Sequence, residues 1–372
     1  MEQTEIVVAG AGVIGASIAR QLRLSGRRVV LIDRGAVAGE ASGAAAGILG
    51  VFSETGDDTL TRLGMRSASA YPGLIGELLE ATGIAVEYSR TGTLFLAPTA
   101  AEGERLAQRR RRCARLGAVI DQVSADQLCR LEPHLSRRAA GVGALLFHGE
   151  GRVDSAALAR ACTAEFAARG GRFRQGCRLD AVVVQTGRVT GVVTDDGEIG
   201  CDVVVDARGA WSGSGVPGVR VEVEPVRGQM VCVRGPRRVF GHTIYRENVY
   251  ASPRRDGRVL LGSTREPVGF ENAVTATGAG SILRRAFEIA GDLQRLPVDG
   301  WWSGLRPASP DGLPIVGFAP EVEGYMLATG HGPNGILLAP VTAAIVSELL
   351  DGVVRAEDEA LSPARPTLHA PR

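Results

Sequence analysis

Residues 6–9 (IVVA) form a β-branched apolar run of the kind that fills a strand buried on both faces. Residues 16–24 place apolar side chains at helical spacing, and Gly26 ends that helix. Residues 28–32 return to an apolar run that closes on Asp33. This opening predicts a strand, a helix and a second parallel strand. Further along, residues 88–97, 226–234, 243–252 and 258–263 read as strands, and 154–169 as a helix capped by Asp154 or Ser155. Asp195 and Asp196 before Gly197 mark a hairpin turn. Arg109 to Arg112 fall in a helical, charge-rich stretch and read as a solvated face. The tail after Gly352, charged and Pro-rich, is expected to be ordered only in part.

Glycines carry the first chemical signal. Between the first strand and the helix stands Gly10-Ala11-Gly12-Val13-Ile14-Gly15, a G-x-G-x-x-G. Gly10 suits a tight turn, Gly12 lets a pyrophosphate approach the backbone, and Gly15 lets helix and strand pack closely. The helix N-terminus then faces the phosphates. Asp33, eighteen residues past Gly15, is placed to accept from ribose hydroxyls. The fingerprint alone serves either FAD or NAD. Two later features favour FAD: the small-residue run GEASGAAAGILG at 39–50, and a strand ending in a glycine turn at 201–212. The last quarter adds GLRPASPDGLPIVG and ATGHGPNGILLAP, a glycine turn opening an apolar helix. The two ends of the chain are expected to meet on one cofactor.

Composition narrows the alternatives. The chain has 372 residues, 45% hydrophobic, with 50 glycines and a net charge of +1. Nothing in that balance points to nucleic acid or an acidic membrane surface. All 42 basic residues are Arg, so a lysine Schiff base to pyridoxal phosphate and a Walker-type lysine are both excluded. The 6 cysteines form no CxxC and lie near no His cluster, so reduced thiols are expected rather than zinc or disulfides, and no metal site. No secretory signal, membrane span or internal repeat is read, and a cytoplasmic location is expected.

The motifs taken together resemble the D-amino-acid-oxidase superfamily of flavoproteins, and within it glycine oxidases of the thiamine-pathway type. The resemblance runs over nearly the whole chain. It rests on GAGVIG with Asp33, on residues 42–50, on PVRGQM at 225–230, and on Val249-Tyr250 with Pro253-Arg254. Gly304-Leu305-Arg306-Pro307 with Pro310-Asp311, and Gly330-His331 with NGILLAP at 334–340, complete it. It implies an α/β fold: a Rossmann-like FAD domain of the glutathione-reductase type, interleaved with a β-rich substrate domain. The FAD domain is expected at 1–83, 140–220 and 304–372, the substrate domain at 84–139 and 221–303. It implies non-covalent FAD held by Gly10, Gly12, Val13, Ile14, Gly15, Asp33, Arg34, Ser42, Ala44, Ala45, Gly47, Ile48, Ala207, Gly209, Trp211, Arg306, Gly330, His331, Gly332, Asn334, Gly335 and Ile336. No cysteine beyond Cys232 is present for a covalent flavin link.

The implied chemistry is oxidation of an amino acid, with O2 as acceptor, in a homo-oligomeric enzyme. Hydride transfer to flavin needs the substrate carboxylate clamped, and the planar fork of Arg matches a carboxylate. The resemblance assigns that clamp to Arg306, with a loop-capping Arg as the alternative. Tyr250 is implied as a second carboxylate contact, or else as a core tyrosine. His331 reads as scaffold or flavin contact rather than base. Two positions depart from the family pattern: Arg265 stands where an apolar residue is usual, and Pro333 where Arg is common. Arg265 either contacts a second carboxylate, as in an N-carboxymethyl amino acid, or pairs with Glu266 or another acid and points to solvent. Rival readings are a sarcosine, D-amino-acid or proline oxidase, an FAD hydroxylase (disfavoured by LPIVGFAPE at 313–321), and a non-catalytic nucleotide-binding protein.

Overall fold

In the computed structural model, which describes residues 2–236 and 238–368, the described residues build four sheets, and the two largest both contribute to the wall of one long cavity. The first is six-stranded, in the order Arg172–Gln175, Val29–Asp33, Ile6–Ala9, Val203–Asp206, Tyr325–Thr329, Ile315–Phe318. Its strands are parallel except the last. Side-chain alternation explains why these strands read as continuous apolar runs. Ile6, Val8, Val29 and Leu31 pack under helices, while Val7, Ala9, Val30 and Ile32 pack under a β-meander of Leu179–Gln185, Arg188–Thr194 and Gly197–Gly200.

The helical layer is Val13–Leu24, Asp58–Thr82, Ser155–Ala168 and Gly335–Leu350, packed on one another. Asp154 caps the third of these by accepting from Ala157 N at 2.8 Å. The first helix begins at Val13, three residues before its apolar pattern, and takes Gly15 into its first turn. A Cβ there would sit 1.8 Å from Gly10 O, so the fingerprint glycine serves helix–strand contact. Residues 332–350 are, among the described residues, the one stretch long and apolar enough to cross a membrane. Their mean hydropathy is 1.4, and 61% of that stretch is buried in the helical layer.

The second sheet has eight strands: Val298–Ala308, Glu224–Arg234, Arg258–Gly262, Val249–Pro253, Thr243–Arg246, Thr93–Leu96, Ala144–Phe147 and Ile120–Val123. Alternation sorts this sheet too. Val231, Val233, Val249 and Ala251 pack under the helix Ala276–Ile289, whereas Met230, Cys232, Tyr245 and Tyr250 face the cavity side. The strand expected over 88–97 is broken at Gly92, where φ is +93° and a Cβ would meet Leu146 Cδ1 at 2.9 Å. Ala144–Phe147 pairs within this second sheet, although 140–220 was expected on the nucleotide side.

Two surface expectations are corrected. Arg109 and Arg112 do not simply face water: they donate to Ser53 O at 3.1 Å and Thr55 O at 2.5 Å, and Arg109 stacks 4.6 Å over the Phe95 ring. The tail is docked as far as it is described. Arg365 is 7% exposed and grips Asp311 through two bonds of 2.7 and 2.9 Å. Residues 369–372 of the expected tail lie outside the described residues.

Candidate active site

A cavity of about 620 Å³ runs from the glycine loop to the face of the second sheet, a size typical of ligand and cofactor sites. At the nucleotide end Gly10 (φ +106°) touches the next strand, and a Cβ there would lie 2.5 Å from Ala207 O. Asp33 orders the loop: its carboxylate accepts from Ala11 N at 2.6 Å and Gly35 N at 2.7 Å. Ser42 Oγ accepts from Val13 N at 2.9 Å, which sets a hydroxyl on the helix N-terminus at the cavity wall. Asp206, fully buried, holds the 207–213 turn through Arg208 and the Gly213 N–H. Arg34 lies 3.9 Å over the Trp211 ring, and both line this end.

The small residues of the middle wall have a steric reason. A Cβ on Gly304 would lie 2.5 Å from Ala44 Cβ, and one on Gly47 1.9 Å from Val153 O. Backbone therefore approaches backbone where the two ends of the chain meet, leaving the cavity clear. These features fit a flavin dinucleotide, with the loop from Gly10 to Ile14 the part that would hold its phosphates.

At the far end stands Arg306. It pairs with Val226 across the strands, which aims its guanidinium over Gly228. A Cβ at Gly228 would fall 2.2 Å from Arg306 Nη1. The guanidinium donates to Thr264 O at 3.1 Å and Ser263 Oγ at 2.8 Å, and it forms no ion pair with a described residue. Tyr250 lines the same end; its hydroxyl donates to Met230 Sδ at 3.2 Å, a weak acceptor, and burial pushes its pKa up to about 12.

Glu54, which the sequence reading missed, also lines this end. It is half-buried and accepts from the Tyr245 hydroxyl. Burial pushes its pKa up to about 7, with Glu150 adding to the rise and the Tyr245 hydroxyl, Arg306 and Arg109 opposing it. Glu150 fixes the loop that carries it, accepting from Phe52 N at 2.8 Å, Ser53 N at 2.9 Å and Ser53 Oγ at 2.5 Å. The only sequence signal for Glu54 is an acid directly after an apolar, glycine-rich stretch.

Other expected residues divide cleanly. Ala45, Ile48, Ala207, Gly209, Gly332, Gly335 and Ile336 line the cavity, as does Pro333. His331 lines it as well, but it is 2% exposed, bonds Thr342 Oγ1 at 3.0 Å, and burial lowers its pKa to about 3. A neutral imidazole fixed in this way serves as scaffold. Gly15, Gly330 and Asn334 are not on the lining: Gly330 makes the turn (φ +72°), and Asn334 is buried behind it. Arg265 is exposed and outside the cavity. Ser263 and Thr264 turn toward Arg306, while Glu266 is held by Arg227 at 2.5 Å and by Gln229, so Arg265 does not pair with Glu266 but points to solvent, as the second alternative had it. Among the described residues no group of three or more His, Cys, Asp or Glu converges as a metal site.

A glycine cradle at one end of the cavity and, at the other, an arginine with no ion pair among the described residues fit a flavin-dependent oxidoreductase. The chain belongs to the family described as FAD dependent oxidoreductase (DAO), which it matches over residues 5–349. It is 33% identical to the glycine oxidase of Geobacillus kaustophilus over 98% of this chain and 97% of that one. It is 34% identical to the glycine oxidase of Pseudomonas putida over 94% of each chain. The crystal structure of the Geobacillus enzyme superposes with a TM-score of 0.93 at 31% identity, covering 98% of this chain and 99% of that one. That of iminodiacetate oxidase from Chelativorans sp. BNC1 superposes with a TM-score of 0.85 at 27% identity, covering 96% and 99%. The protein is an FAD-dependent amine or amino-acid oxidase.

Proposed function

We propose that the enzyme oxidises the C–N bond of glycine or of a small N-substituted glycine, releasing glyoxylate and the amine. The observation that carries this reading is Arg306: a guanidinium facing the cavity with no carboxylate partner among the described residues, in a space shared with Glu54 and Tyr250. Arg306 binds the substrate carboxylate through its remaining N–H groups. Tyr250, protonated at neutral pH, donates to the same carboxylate. Glu54 accepts from the substrate N–H and favours the orientation that presents Cα to the cofactor. FAD, when bound, would supply the two-electron acceptor for the hydride leaving Cα, with O2 as the final oxidant giving H2O2. Water then adds to the resulting imine, and the C–N bond breaks.

A second reading, an N-carboxymethyl amino acid as substrate, draws support from the likeness to iminodiacetate oxidase, since iminodiacetate is itself N-carboxymethylglycine. Against it stand the outward Arg265 and the acid Glu54, which would face a second carboxylate.

The test is anaerobic bleaching of the bound flavin by glycine, sarcosine, D-alanine, D-proline and N-carboxymethyl amino acids, followed by glyoxylate and peroxide assays. Bleaching by glycine or sarcosine with one glyoxylate per two electrons is expected. Bleaching by D-proline or D-alanine alone would defeat the proposal.

A further inference from the structure

Two buried arginines stand behind the cavity wall and take no part in the site described above. Arg152 is 1% exposed and Arg254 is 5% exposed. Arg152 sits in the strand Gly151–Val153, paired with Ile48 on one side and Ser89 on the other. Arg254 reaches the same small sheet from the second domain face. Its Nη2 donates to Ala46 O, and its neighbour Arg255 donates to Glu87 Oε1 and Tyr88 O, both at 3.2 Å. Arg152 thus sits between the strands Ile48–Leu49 and Tyr88–Ser89, and Arg254 reaches the segment leading into the first of them. Their closeness also shows in the charge of Arg254, which, after burial, most depresses the pKa of Arg152, to about 10. Both remain charged at neutral pH.

Neither forms an ion pair with a described residue. Arg152 has one side-chain bond, from Nη1 to Thr91 Oγ1 at 3.2 Å, and its Nε is buried without a partner. Nη1 of Arg254 is buried without a partner as well. The neighbouring acids Glu87 and Asp154 favour the charge of Arg254 from a distance but make no ion pair with either guanidinium: Glu87 accepts from Arg255 N, and Asp154 caps its helix. Arg238, also near enough to bear on Arg152, spends its side chain on Phe240 O and Gly241 O. A buried cation without an anion is strongly disfavoured, and two like cations together are worse.

We propose that Arg152 and Arg254 together bind one small monovalent anion of the chloride class, held between Arg152 Nε and Arg254 Nη1. The near-complete burial of both side chains leaves no opening for a phosphate ester or a peptide carboxylate. Neither arginine lines the cofactor cavity, so the substrate carboxylate does not reach them. The anion neutralises one positive charge directly beneath Ala46 and Ile48, which form the cavity wall. Bound only by the folded chain, it stabilises that chain by mass action.

The direct test is a crystal of the wild-type holoenzyme soaked in sodium bromide. An anomalous peak between the two guanidiniums is expected, and ordered water alone there would overturn the proposal. In solution, the holoenzyme should show a saturating rise in Tm of about 2 °C or more when sodium gluconate is replaced by sodium chloride at constant ionic strength. R152M and R254M should each abolish that increment. An increment that is absent in the wild type, or unchanged in a folded R152M, would also overturn it.

Discussion

Glu54 and Arg306 bring opposite charges to one end of the cavity, and their environments treat them differently. Arg306 keeps two neutral partners and a free edge, so its charge is available. Glu54 is pressed toward its neutral form, with a pKa near 7. For substrate binding this places a titration in the working range: kcat/KM should rise as pH passes through about 7, and E54Q should remove that inflection in a pH–rate profile. For stability the sign is opposite. A carboxyl whose folded pKa lies above its unfolded 4.5 contributes most below 4.5, and the contribution is lost as pH rises through 7. R306M should lower kcat/KM for glycine by about 100-fold, as expected when two charge-assisted bonds, each worth about 1.5 kcal/mol, are lost. R306K should recover only part, because an ammonium lacks the fork. Steady-state kinetics with a flavin absorbance check of folding will separate these effects.

At the scale of elements, the clamp depends on a residue with no side chain. Gly228 lies under the Arg306 guanidinium, and G228A puts a methyl 2.2 Å from Nη1. The far end of an arginine is flexible, so the expected result is a folded protein with full flavin content and a raised KM for glycine. The docked tail is a second element with a measurable role. Arg365 and Thr367 hold the Asp311 carboxylate, and these bonds outweigh its desolvation to lower its pKa to about 2. Its folded pKa lies below the unfolded 3.8, so that stability is present above 3.8 and is lost as pH falls toward 2. R365A should cost about 3 kcal/mol by denaturant unfolding, the loss expected when one partner of a buried pair is removed.

Across the whole molecule, the parts legible in the sequence are those fixed by short-range pattern. The first βαβ unit, the cap at Asp154 and the strands around Val231 and Val259 follow from period-two alternation and glycine spacing. Arg306 and Tyr250 were found through motifs, and both line the cavity. Glu54 was missed because its position depends on Glu150, almost a hundred residues away, and on Tyr245 in another sheet. The direction of Arg265 was left open because adjacent positions in an extended segment face opposite ways, and only pairing tells which way is inward. Arg109 and Arg112 looked solvated because helical spacing does not reveal that a loop from residue 50 onward covers them.

The way Arg306 is mounted also bears on how this enzyme can diversify. Its strand is locked to Glu224–Arg234 over nearly its full length, and a one-residue slip would turn the arginine to the opposite face. Insertions there are barred to descendants that keep the carboxylate clamp. The loop bearing Glu54 hangs instead on a few side-chain bonds to Glu150, Arg109 and Arg112. Lineages that acquire new amines are therefore expected to vary that loop first, and to inherit the arginine strand unchanged.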